Sequence, residues 1–519
     1  MTRSSRFVRL ALVAAGLTAV LVAVLWISPE PAGDDRGDQL AVSATTSAPP
    51  TTPTSTIPTS TTATSAETTT TTTEPPYQGW VDPASSGEPY GEAVDGLLTF
   101  RGNPTRTYYG EGPVPVAPEI RWQFPDRAMC STSSVGGEAI SWCGSGWTGQ
   151  PAIFERDGQT WVALGAYSRN VHFLDYFSGA RLLPDFQTGD IIKGSVTIDP
   201  DGYPLLYTGS RDNFYRVVAF DGDEPRELWA LNASDVSPTR WNNDWDGAGL
   251  ILDDHLFIGG ENSQFHIVKL NRGYDADGRV TAAPELIFNT PGWDDELLRV
   301  AGGNVSIENS VAISGNTVYF ANSGGLIQGW DITGLVDGVE PTQVFRYWAG
   351  DDIDASLVID DEGMIYAGIE YERGNARSRE VGQIIKLDPT LPPEEARLWG
   401  VDQRPRLDSG IWATPGLYED LLIVPTDSGD VLGLDRFTGE ERWRVELFGP
   451  TWASPVIVDG VWIQGDCNGV LHAFDVSDTS VEPPKLWDVQ LSGCIESTPA
   501  VWKGQIVVGT RAGFVYAVG

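Results

Sequence analysis

Basic residues are scarce in this chain. It has 34 Lys and Arg against 71 Asp and Glu, a formal net charge of −37. A surface of that sign repels phosphate and argues against nucleic acid as a partner. Histidine and cysteine are scarce too, with four of each. No Cys-x-x-Cys pair occurs, so a thiolate zinc site lacks its usual ligand spacing. No Gly-x-Ser-x-Gly occurs, so there is no nucleophile elbow. After Ile27 no long segment keeps a 3.6-residue apolar period, which argues against a helical domain.

The N-terminus is built differently from the rest. Arg3, Arg6 and Arg9 precede an uncharged run at residues 10–27. Eighteen residues at about 1.5 Å each give roughly 27 Å of helix, enough to span a bilayer. The basic flank predicts the N-terminus inside and the remainder outside. The run reads as a single-pass signal-anchor over residues 1–27. A cleaved signal peptide is the competing reading, and either one exports the rest. Residues 28–95 read as a linker. The part to Pro76 is rich in Thr, Ser and Pro and has no aromatic residue, so it cannot bury enough apolar surface to fold. An O-glycosylated stalk is a further reading of the same stretch.

Cys130, Cys143, Cys467 and Cys494 all lie in the exported part. In an oxidising compartment they read as two disulfides, for which three pairings exist. Cys130–Cys143, inside one Gly- and Ser-rich insertion, and Cys467–Cys494, between neighbouring repeat units, are the pairing favoured.

A repeat organises residues 96–519. Thr414-Pro415, Ser454-Pro455 and Thr498-Pro499 recur at intervals of 40 and 44 residues. Each is followed by an apolar strand, a turn, a second strand, a Gly-containing turn, a third strand and, in complete copies, a Trp-bearing fourth strand. Earlier units open near Gln150, Gly194, Trp245, Glu308 and Asp354. The unit opening at Asp354 carries an insertion at residues 371–379. The last copy stops at Gly519 before its Trp, and residues 119–124, around Trp122, have the character of the missing strand. This predicts an all-β fold: an eight-bladed β-propeller whose last blade is completed by an N-terminal strand. Seven blades is the alternative count. Trp122, Trp229, Trp348, Trp399, Trp443 and Trp487 share one phase and read as packing between blades.

Leu434-Asp435-Arg436-Phe437-Thr438-Gly439-Glu440-Glu441-Arg442-Trp443 resembles the repeat of the pyrroloquinoline-quinone-like (PQQ-like) propellers. Phe100-Arg101-Gly102-Asn103-Pro104-Thr105-Arg106 and the following Thr107-Tyr108-Tyr109-Gly110 resemble the lead-in segment of that superfamily, and the chain also looks like exported actinobacterial members of it. The resemblance implies the propeller fold. It leaves function open, because the superfamily includes quinoprotein dehydrogenases and non-enzymatic members such as the lipoprotein that assists outer-membrane protein assembly.

Residues that open the first strand of each blade should gather near the ring axis. The candidates are Asp244, Trp245, Asp246, Glu308, Asn309, Asp352, Asp354, Trp412, Trp452 and Glu496, with Lys193 as the one cation among them. Asp244, Glu308 and Asn309 are candidate ligands for a hard cation such as Ca²⁺. Aromatic walls with carboxylates also suit a cationic ligand or a sugar face. The bland reading is a wet channel whose side chains satisfy backbone groups. The resemblance implies that a quinone enzyme would need adjacent cysteines, which this sequence lacks. His172, His266 and His472 fall in third strands of separate units and His255 in a turn, so a Ser-His-Asp triad is not expected. The loop at residues 273–280 reads as a hairpin turn, not a calcium loop. The sequence therefore predicts a membrane-anchored, extracytoplasmic, monomeric binding or scaffold module for a protein or a cell-envelope glycan, with a metal- or quinone-dependent enzyme or sensor as the alternative.

Overall fold

Eight antiparallel sheets of four or five strands follow one another along the chain. The computed structural model describes residues 77–135, 138–146 and 149–519. Within it, Gln78–Ser134 and Ala139–Gly519 form one compact unit. Residues 10–27 and 28–76, expected as anchor and tether, lie outside the described residues. Among the described residues no helix is long and apolar enough to cross a membrane.

Blade 7 shows the unit plainly, with strands Val456–Val458, Val461–Gly465, Val470–Asp475 and Lys485–Gln490. The inner strands are buried almost throughout, because a blade lies against each of their faces. The outermost strand alternates between covered and exposed positions. Blade 8 takes Ala500–Trp502, Gln505–Gly509 and Val515–Val518 from the C-terminus. Its outer strand is Ile120–Phe124, antiparallel to the last of these, with Trp122 opposite Ala517. The ring closes as the unfinished repeat predicts, and the count is eight.

The tryptophan phase has a physical cause. In the turn of blade 6, Asp435 Oδ1 accepts from the N–H groups of Phe437 and Thr438, both at 2.9 Å. This sets up Gly439 with φ +76°, and a Cβ there would meet Trp399 of blade 5 at 2.8 Å. The Trp399 indole N–H donates to Arg436 O at 3.2 Å. The closing seam repeats the device. Asp175 Oδ1 accepts from Ser178 N–H at 2.8 Å, Gly179 has φ +68°, and Trp122 covers it. The Trp122 N–H reaches Tyr176 O at 2.9 Å. Trp443 lies over Gly433 of its own blade and meets Trp462 of blade 7, ring centroids 5.9 Å apart. Trp348 falls off the expected phase: Phe345 takes that place opposite Gly329, and Trp348 donates its N–H to Gly324 O of its own blade at 3.1 Å.

The Ser and Thr residues that open the blades form a girdle around the axis, three of them in Ser/Thr-Pro pairs. The N–H of Ala248 donates to Ser310 Oγ, that of Ser310 to Ser356 Oγ, that of Ser356 to Thr414 Oγ1 and that of Thr414 to Ser454 Oγ, at 2.9–3.0 Å. Ser454 N–H continues to Thr498 Oγ1 at 3.4 Å, and Thr498 N–H to Gly149 O at 3.1 Å. Gln150 N–H donates to Ser195 Oγ at 2.8 Å. Ala248 lacks a hydroxyl, and there Thr197 Oγ1 donates instead to Gly249 O at 2.9 Å.

The lead-in segment plugs one end of the ring and reaches all eight blades. Gly96–Leu97 adds a strand to blade 1 and Gly110–Glu111 a parallel strand to blade 8. Ile198, Ile313 and Ile359 N–H groups of blades 2, 4 and 5 donate to Leu98, Pro104 and Thr105 carbonyls. Tyr90 Oη donates to Ile251 O of blade 3. The fully buried Arg101 guanidinium donates to Pro415 O and Pro455 O of blades 6 and 7. Arg106, also fully buried, donates to Val311 O at 2.6 Å. The expected linker boundary therefore moves. Residues 78–95 pack on the propeller, with Val81 and Tyr90 buried and Val81 bridged to Gly315. The apolar Trp80, Val81 and Tyr90 are the reason.

Both favoured disulfides, Cys130–Cys143 and Cys467–Cys494, are formed. The 273–280 segment is a hairpin whose Asp275 Oδ1 accepts from Asp277 and Arg279 N–H, a turn rather than an ion loop.

Candidate functional site

Chain direction places the blade-to-blade connections and the turns between second and third strands at the end opposite the plug. Two residues before each girdle hydroxyl position stands an axis-facing side chain. These are Lys193, Asp246, Glu308, Asp354, Trp412, Trp452 and Glu496 in blades 2 to 8. A second ring comes from the residue two places past each second strand, and the sequence reading missed it. It supplies Tyr167, Arg211, Glu261, Ser323, Glu370, Asp427, Cys467 and Arg511.

The two rings interlock by charge. Lys193 Nζ pairs with Asp246 Oδ2 and, at 3.0 Å, with Glu261 Oε1. Arg211 Nε is 2.6 Å from Asp244 Oδ2. Arg511 Nη1 is 2.8 Å from Glu496 Oε2, and its guanidinium lies over the rings of Trp142 and Tyr167. Arg406 Nη2 is 2.6 Å from Asp427. Ser323 Oγ lies 3.2 Å from Glu308 Oε1 and 3.4 Å from Asp354 Oδ1, bridging blades 4 and 5. Asp352 lies 3.9 Å from Arg373 Nη1 in the blade 5 insertion.

Burial sets the protonation here. It pushes the Asp246 carboxyl well above the usual range, against the pull of Lys193. It pushes Asp244 up to about 7, aided by Glu261 and opposed by Lys193 and Arg211. Burial alone would lower Lys193, but Asp246 and Glu261 outweigh it and raise that ammonium. Glu261 is held down by Lys193 and Arg211 despite its burial.

Three of the sequence candidates play other parts. Trp245 is 1% exposed and packs on Tyr215 and His266, its N–H donating to Asn213 O at 3.0 Å. Asn309 spends its amide on Ala321 O and Ile353 O at 2.9 and 3.0 Å. Asp244 is held by Arg211. The oxygens that gather are those of Asp246, Glu261 and Glu308, and in a second set those of Asp352, Asp354 and Glu370. The expected Ca²⁺ set of Asp244, Glu308 and Asn309 does not fit a cation, since one member is paired and another serves the backbone. In the Asp246 set, Lys193 already supplies a positive charge.

Trp412 and Trp452 stack on each other, ring centroids 5.2 Å apart and planes at 28°. They occupy the arc between Asp354 and Glu496. A separate cavity of about 430 Å³ lies at the plugged end, lined by Tyr108, Tyr109, Leu417 and Ile457.

Blade 1 brings an unexpected trio together. Ser168 Oγ is 3.0 Å from His172 Nε2, and Asp185 Oδ1 is 2.9 Å from His172 Nδ1. The same phase recurs in blade 7, where His472 sits between Asp466 and Asp488, and in blade 3, where Asn262 meets His266. A contact repeated in three blades, only one of which has a serine, is a brace between the hairpin turn and its strands.

Residues 380–519 match the family described as outer membrane protein assembly factor BamB. The chain carries PQQ-like propeller repeats. The outer membrane protein assembly factor BamB of Moranella endobia (strain PCIT) is 25% identical over 198 residues, and that of Yersinia pestis 30% over 102. These stretches cover 34% and 19% of this chain, and 46% and 25% of those proteins, so the chain spans less than half the length of either. The quinohemoprotein alcohol dehydrogenase of Comamonas testosteroni superposes with a TM-score of 0.54 at 15% identity, over 82% of this chain and 80% of that one. At that identity the likeness is one of fold. The residues here do not fit what the resemblance implies for a quinone: the four cysteines form two bridges between sequence-distant positions, and none are adjacent.

Proposed function

We propose that this chain is a non-catalytic binding module whose unplugged end docks a protein partner at the cell envelope. The observation that carries the reading is a contrast at that end. The cations named above, Lys193, Arg211, Arg373, Arg406 and Arg511, are each engaged by a carboxylate, whereas large apolar side chains stand free in the connections leading to the stacked tryptophans. Phe448 is 90% exposed before Trp452 and Leu407 is 56% exposed before Trp412. Exposed apolar groups rimmed by polar ones mark association surfaces. The relatives named as assembly factors support a scaffold role. In this reading the chain acts as a monomer. It is held by the apolar run at residues 10–27 and carried outside the membrane on the Thr-rich stretch, a compartment that suits two disulfides.

Photo-reactive amino acids at positions 448 and 407, introduced in intact cells, should yield a discrete protein adduct. The same probe at Phe177, in a turn at the plugged end, should not. No adduct from either position would overturn the docking reading. Dye-linked alcohol oxidation after addition of pyrroloquinoline quinone and Ca²⁺ would instead favour an enzyme.

A further inference from the structure

The unplugged end holds a feature that protein docking does not explain. Trp412 and Trp452 take the ring position that carries a charged residue in five other blades: Lys193, Asp246, Glu308, Asp354 and Glu496. They are not needed to join blades 6 and 7 there, because Thr414 N–H to Ser454 Oγ does so two residues later at 3.0 Å. Both rings remain partly exposed. Their indole Nε1 atoms are enclosed, and neither donates to an acceptor among the described residues. The interblade tryptophans Trp122, Trp399 and Trp487 each reach a carbonyl, whereas the indole Nε1 atoms of Trp161 and Trp443 are enclosed without a hydrogen-bond acceptor among the described residues, as those of Trp412 and Trp452 are.

The neighbours along the ring narrow the class of ligand. Asp354 adjoins Trp412, and Glu496, held by Arg511, adjoins Trp452. Carboxylates accept from hydroxyl groups, while guanidinium N–H groups donate to hydroxyl oxygens. A flat aliphatic C–H face packs on an indole. A pyranose ring presents all three features together. An anionic ligand would meet the carboxylates unfavourably, and an organic cation would meet the Arg511 guanidinium beside Glu496 unfavourably.

We propose that Trp412 and Trp452 form the stacking platform of a subsite for a neutral saccharide, with Asp354 and Glu496 taking its hydroxyl groups. The subsite stands apart from the docking reading, and its test needs no protein partner. The full-length chain is titrated by calorimetry with a β-1,4-linked N-acetylglucosamine tetramer and an α-1,4-linked glucose tetramer. Spermidine and a galacturonic acid trimer serve as cationic and anionic probes. The expected result is saturable binding of at least one neutral tetramer in preference to both charged probes. Trp412→Ala and Trp452→Ala should each weaken it about tenfold, the worth of one stacking face. Trp412→Phe, which keeps a ring and tests for folding defects, should restore part of the affinity. The proposal falls if neither tetramer binds, if a charged probe binds in preference, or if Trp412→Ala and Trp452→Ala bind as the parent does.

Discussion

The closing seam of the ring predicts a large effect from one side chain. Trp122 is 8% exposed, lies against the backbone of Gly179 in blade 1, and donates its N–H to Tyr176 O at 2.9 Å. It belongs to the N-terminal strand, so it ties the start of the domain to its end and blade 8 to blade 1. Trp122→Ala removes this packing, for which truncation of a buried tryptophan costs about 3–5 kcal/mol. Trp399 makes the same contact between blades 5 and 6, over Gly439 and to Arg436 O at 3.2 Å. If the seam is an ordinary blade junction, Trp399→Ala should cost the same to within about 1 kcal/mol, given the context dependence of such measurements. Urea unfolding followed by far-ultraviolet circular dichroism reads both. Deleting residues 119–124 should go further and open the ring, with a broad, early transition. The reasoning fails if Trp122→Ala costs less than about 1 kcal/mol while Trp399→Ala costs the full amount. It fails equally if the deletion leaves unfolding unchanged.

Other outcomes follow from the girdle, the bridge and the buried imidazole. Thr414→Val keeps the shape but leaves the buried Ser356 N–H without its acceptor, and should cost about 1–3 kcal/mol by the same unfolding assay. The Cys467–Cys494 bridge closes 27 residues, and Cys467→Ser with Cys494→Ser should lose about 3–4 kcal/mol on the chain-entropy estimate. His266 is fully buried against Trp245, and burial lowers its pKa from 6.5 to about 4. Its folded pKa is depressed, so its contribution is complete above pH 6.5 and is lost as pH falls toward 4. The loss is roughly 3 kcal/mol across that window, and His266→Gln should remove that part of the pH slope in denaturant midpoints.

The fold was legible because its signals are local and repeated. Apolar runs bounded by Gly and Asp gave the strands. Ser/Thr-Pro gave the blade openings, and a copy without its Trp gave the closure. The site was legible only in part, and strand alternation explains the misses. Asp246, Trp412 and Trp452 stand two residues before the girdle position and face the axis. Trp245 and Asn309 are one residue off that phase, so the chain turns them into the blade interface. The second ring was hidden because Arg211, Glu261 and Arg511 lie in turns with no shared residue type. They align only when counted from the end of each second strand. The lead-in segment was recognisable by resemblance, but its role depends on contacts with all eight blades that no local pattern encodes.

Separation of these positions also explains why one architecture serves unlike functions. Closure rests on the girdle hydroxyls, the glycine-covering tryptophans and the plug arginines Arg101 and Arg106. The axis-facing residues stand two places before the girdle and take no part in its hydrogen bonds. Lys193, Asp246, Glu308, Asp354, Trp412, Trp452 and Glu496 occupy equivalent places in successive blades and supply one ammonium, four carboxylates and two indoles. A fold shared with a dehydrogenase therefore does not by itself carry over a cofactor site. In this chain those positions combine a stacked, partly exposed indole pair with carboxylates, Lys193 being held by Asp246 and Arg511 by Glu496.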